Sequence, residues 1–62
     1  MNTGQDHILV VDDDREIRTL LADYLTRQGL RCTTAANGRE MKDALDRHRI
    51  DLIVLDIMMP GE

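Results

Sequence analysis

Two aliphatic runs in this chain end in acid: Ile8-Leu9-Val10-Val11 leads into Asp12-Asp13-Asp14, and Leu52-Ile53-Val54-Leu55 leads into Asp56. Carboxylates that converge on one hollow repel each other, and a bound divalent cation relieves this while favouring their ionised form. Oxygen ligands of this kind suit Mg2+, which keeps several waters and leaves room for a phosphate oxygen. A hard cation beside a carboxylate neutralises charge on a transferring phosphoryl group, leaving the carboxylate free to act as nucleophile. The expected chemistry is formation of an aspartyl phosphate. Asp56 is the expected nucleophile, with Asp13 and, partly through water, Asp12 as metal holders.

For these acids to meet, the two runs must be parallel neighbours in one sheet. Each is a short apolar run with β-branched residues, the pattern of a strand buried on both faces. Ligands of open parallel sheets bind at the carboxyl ends of such strands. Between the runs the pattern predicts a helix over residues 15–28, N-capped by Asp14 and closed by Gly29 in a left-handed conformation. Ile17, Leu20, Leu21, Tyr24 and Leu25 recur at helical spacing along it and form one apolar face. Residues 30–35 read as a weaker, more polar strand suited to a sheet edge. Ala36-Asn37-Gly38 turns into a second helix over residues 39–47 with Met41, Ala44 and Leu45 inward. The order strand, helix, strand, helix, strand calls for right-handed crossovers and a parallel α/β sheet in the order 2-1-3. Residues 1–7 read as a loose polar leader, and residues 8–62 as the folded part.

The chain has 62 residues, 42% of them hydrophobic and 32% charged, with Tyr24 as the single aromatic. That length holds one domain at most and sits near the lower limit for a self-sufficient core. A formal net charge of -4 argues against nonspecific nucleic-acid binding, which rewards basic surfaces. One cysteine, Cys32, cannot form an internal disulfide, and it reads as a small core hydrophobe. No apolar run approaches the length of a membrane span and there is no signal-peptide core, so a cytoplasmic location is expected. His7 and His48 lack partners at metal-ligand spacing and read as solvated. Met58 and Met59 suit packing better than a soft-metal site, because the acids around them favour a hard ion.

Ile8-Leu9-Val10-Val11-Asp12-Asp13-Asp14, taken with Leu52-Ile53-Val54-Leu55-Asp56-Ile57-Met58-Met59-Pro60-Gly61, resembles the receiver domain of two-component response regulators. The separation of Asp12 from Asp56 fits as well. The resemblance implies a flavodoxin-like fold, Mg2+ as cofactor, and a phosphohistidine on a sensor histidine kinase as donor. Carried over by position, Asp56 is the phosphoacceptor, and Asp13, Asp56 and the backbone carbonyl of Met58 hold Mg2+ with Asp12 in support. Arg15, Arg18, Thr19 and Ala22 fall where a kinase helix pair docks in that family. Leu20-Leu21-Ala22-Asp23-Tyr24-Leu25-Thr26 is most similar to transcriptional regulators with a winged-helix output.

A full receiver continues with two more strands, which supply a hydroxyl residue and a lysine to the phosphoryl oxygens. The chain ends at Glu62, where a further helix should begin, so the expectation is the amino-terminal half of such a domain with impaired phosphorylation. A strand patterned for burial then becomes an exposed edge, a template for pairing with another chain. Self-association hiding Ile53 and Leu55 is the expected consequence. Two other readings stand beside the phosphoacceptor. One is a structural fragment that associates without phosphoryl chemistry. The other is a phosphohydrolase working through an aspartyl phosphate, ranked last because Met58 stands where that chemistry wants a second acid.

Overall fold

The computed structural model describes residues 6–55, which form β1 (His7–Val11), α1 (Arg15–Arg27), β2 (Arg31–Ala35), α2 (Gly38–Arg47) and β3 (Leu52–Leu55). The three strands make one parallel sheet in the order β2-β1-β3, as the pattern of apolar runs and helices requires. β1 pairs Ile8 with Cys32 and Val11 with Ala35 on one side, and Ile8 with Leu52 and Val11 with Leu55 on the other. The carboxyl ends of β1 and β3 therefore lie side by side.

β1 is the core. All five of its residues are buried, and Leu9, Val10 and Val11 are almost wholly so. Burying an aliphatic side chain of this size contributes about 1.5–3 kcal/mol, so this strand carries much of the folding free energy. Leu9 and Val11 cluster with Ala35 and Ala44, with Met41 and Ile50 packed against them, which places α2 over that face. Alternation sends Ile8 and Val10 to the opposite face, where α1 packs on β1 and β2.

The helix ends follow local chemistry. The Asp14 carboxylate accepts from the Glu16 and Ile17 N–H groups at 2.9 and 3.3 Å, capping α1. α1 stops at Gly29, whose φ of +86° is the left-handed conformation a side chain would disfavour, and the Leu30 N–H then reaches back to the Leu25 carbonyl at 3.1 Å. At the start of α2, Asn37 accepts from the Glu40 N–H at 2.9 Å while Glu40 accepts from the Ala36 N–H at 2.8 Å.

Three expectations are corrected. His7 is neither solvated nor part of a leader: it opens β1, is 5% exposed, and bonds Thr33 Oγ1 through its Nε2 at 2.6 Å. The polar stretch before the apolar run hid this, because a single buried imidazole leaves no periodic signal. The apolar face of α1 is not buried either. Leu21 and Leu25 are half-buried, but Ile17, Leu20 and Tyr24 are exposed, Leu20 to 69%, because the stripe is wider than the part β1 and β2 cover. On α2, Met41 and Ala44 turn inward, while Leu45 stays exposed. β3 is apolar throughout, yet all four of its residues are exposed, since both helices pack on β1 and β2 and, among the described residues, neither packs on β3.

Candidate functional site

The site is built where β1 runs out of sheet. Asp12 is held at that edge by three hydrogen bonds. Its N–H donates to the Ala35 carbonyl at 3.1 Å, continuing the ladder with β2 one residue past the strand. Its carboxylate Oδ1 accepts from the Asp14 N–H at 2.9 Å, and its carbonyl accepts from Arg18 Nη1 at 2.8 Å. The first of these side-chain contacts is a local turn in which an aspartate bonds the backbone two residues on. Asp12 is 5% exposed as a result, whereas Asp13 beside it is exposed. Asp14 caps α1 through its Oδ1, which accepts from both the Glu16 and Ile17 N–H groups. The three consecutive acids thus have three different environments.

On β3 the paired residue nearest the site is Leu55, which faces Val11. Asp56 follows it directly in the sequence. Asp56 and Met58 lie outside the described residues, as do residues 1–5 of the expected leader. Among the described residues no three His, Cys, Asp or Glu side chains gather as a metal site. The donor chemistry at the end of β1 nevertheless fits a hard cation: Asp12 keeps Oδ2 beyond its bond to Asp14, and Asp13 offers a second carboxylate on the adjacent residue.

Arg15, Arg18, Thr19 and Ala22 line one open groove on α1, with Thr34 of β2 at its side. Arg18 links this groove to the acidic end through its bond to the Asp12 carbonyl. Sequence reasoning placed Arg18 on the helix surface and missed that tether; the residue is half-buried. Cys32 is half-buried, and burial pushes its thiol above the usual range, away from the thiolate a nucleophile needs. No helix among the described residues is long and apolar enough to cross a membrane.

Comparison with known proteins gives a consistent result. The family model described as response regulator receiver domain matches residues 8–62. The chain is 48% identical over 59 residues to the probable transcriptional regulator ycf27 of Cyanidium caldarium, covering 95% of this chain and 24% of that protein. It is 52% identical over 54 residues to the transcriptional regulatory protein AfsQ1 of Streptomyces coelicolor, covering 87% of this chain and 24% of the relative. Among solved structures it is similar to the response regulator protein TrrA of Thermotoga maritima in complex with Mg(2+)-BeF. That match has a TM-score of 0.80 and 44% identity, over 92% of this chain and 50% of the other. The chain therefore spans about a quarter of the length of these curated relatives and half of the solved chain.

Proposed function

This chain belongs to the response regulator receiver domain family, and from that premise we propose that Asp56 accepts a phosphoryl group from a phosphohistidine of a sensor histidine kinase. A carboxylate oxygen of Asp56 forms the new P–O bond, the P–N bond to the donor imidazole breaks, and the electron pair leaves with that imidazole, which takes up a proton. Asp12, Asp13 and Asp56, with the backbone carbonyl of Met58, would hold Mg2+. When bound, Mg2+ offsets the negative charge gathered between carboxylates and phosphoryl oxygens. Arg15, Arg18, Thr19 and Ala22 form the kinase-docking face, with Arg18 joining that face to Asp12. Such a module signals by being modified rather than by turning over a substrate, and its place is the cytoplasm, where a sensor kinase presents its phosphohistidine.

The observation that supports this reading is the parallel register in which Val11 and Leu55 pair, so that the carboxyl ends of β1 and β3, which Asp12 and Asp56 follow in the sequence, lie at the same end of the sheet. The similarity to a response regulator solved with Mg(2+)-BeF supports the choice of ion. The test is incubation with acetyl phosphate and Mg2+ followed by intact mass measurement. A single phosphate adduct, lost in Asp56→Asn and on chelation of the metal, is the expected result; an adduct that persists in Asp56→Asn contradicts the assignment.

A second reading concerns association. β3 exposes Leu52, Ile53, Val54 and Leu55, with Leu52 57% accessible, and a flat apolar edge of this kind pairs with another strand. Two copies of the chain meeting along β3 would cover Ile53 and Leu55. Light scattering across a concentration series tests it, and a strict monomer at the highest concentration contradicts it.

A further inference from the structure

At the end of the sheet opposite the acids, β1 begins in a cluster that the phosphoacceptor reading does not use. His7 is buried, its Nε2 meets Thr33 Oγ1 of β2 at 2.6 Å, and its ring centroid lies 5.1 Å from that of His48 at a tilt of 58°. His48 is the C-cap of α2, its N–H bonded to the Ala44 carbonyl at 2.9 Å. Asp51, just before β3, closes the other side: Oδ2 accepts from the His7 N–H at 2.8 Å, and the Asp51 N–H donates to the His7 carbonyl at 2.8 Å. One residue therefore ties together all three strands and the end of α2.

We propose that His7 and His48 form a proton-responsive latch, which holds the amino end of the sheet closed while His7 is neutral and loosens it when His7 is protonated. The titratable and charged groups acting on the His7 ring are Arg31 from β2, its register partner, His48 from the end of α2, and Asp51 from the turn before β3. Arg31 is cationic, and His48 acts with it against a proton on His7. The Asp51 carboxylate opposes them but is already engaged by the His7 backbone N–H. Burial first, then Arg31 and His48, hold the imidazole below its usual range, with Asp51 acting the other way. Because the folded chain disfavours this proton more than the unfolded chain does, the cluster's contribution is complete above about pH 6.5 and is lost as pH falls through the lower folded midpoint.

His7 and His48 are the two histidines of the chain, so imidazole titration between pH 8 and pH 5 reads this cluster without interference. The experiment is an NMR titration of both rings in the full 62-residue chain, repeated in His48→Gln, with amide exchange protection measured at the two ends of the range. The His7 midpoint is expected below its ordinary value of 6.5 and to rise in His48→Gln. Protection of the Asp51 N–H should drop severalfold on acidification, and by less at the Asp12 N–H at the other end of β1. A His7 midpoint at the ordinary value, which an unfolded chain would also give, overturns the proposal. So does a midpoint indifferent to His48→Gln, or equal loss of protection at both ends.

Discussion

At its amino end β1 is closed by hydrogen bonds to both neighbouring strands, whereas at its carboxyl end it opens into carboxylates. His7 is bonded through its ring to Thr33 and through its backbone to Asp51. Asp12, five residues on and as deeply buried, has its backbone and one carboxylate oxygen satisfied, yet next to it Asp13 stands exposed. The two ends share one apolar strand and the same sheet neighbours. What differs is how the polar groups are used: at one end groups from separate strands and turns bond each other, at the other the carboxylate bonds of Asp12 and Asp14 are made to local backbone and Asp13 faces solvent. Among the described residues no buried side-chain polar atom lacks a partner.

The contrast can be broken from the middle or sharpened from either end. The largest effect is expected for Leu9→Ala at the centre of β1, a fully buried position. A cavity there costs about 2–5 kcal/mol, a large share of the stability of so small a fold, and both ends should fail together in urea denaturation followed by circular dichroism. Asp13→Asn acts on the carboxyl end alone. Mg2+ affinity, measured by calorimetry, should fall about tenfold or more, with thermal stability in the absence of Mg2+ unchanged within about 0.5 kcal/mol because the residue is exposed. Thr33→Val acts on the amino end alone, removing the hydroxyl partner of His7. It should cost about 1–3 kcal/mol of stability, since a half-buried imidazole bond is left unmade, with Mg2+ affinity unaltered. If either end variant moved both readouts equally, the division between the ends would be wrong.

Periodicity made the architecture legible: the five elements fall within a residue or two of where the runs, Asp14 and Gly29 place them, and the sheet order followed from the doubly wound arrangement. The acidic end was legible because Asp12 and Asp13 directly follow the strand that carries them. The amino end was not. Neither the pairing of His7 with Thr33 nor its backbone clasp by Asp51 leaves a local trace, for these partners are far apart in the sequence and meet only once the strands are in register. Along α1, periodicity tells which residues share a face and not how much of that face a neighbour covers. Leu21 and Leu25 meet the sheet partly, whereas Leu20 and Tyr24 do not.

The central claim is that the acids following β1 and β3 serve one ion. Mn2+ in place of Mg2+ tests it directly, because a paramagnetic ion broadens the NMR signals of nearby amides in the assigned chain. Broadening at Asp12, Asp13 and Asp56 together, with His7, Arg31 and Asp51 at the far end of the sheet spared, is the predicted pattern. Signals at Asp56 that stay sharp while Asp13 broadens, or broadening centred on the histidine end, would contradict it.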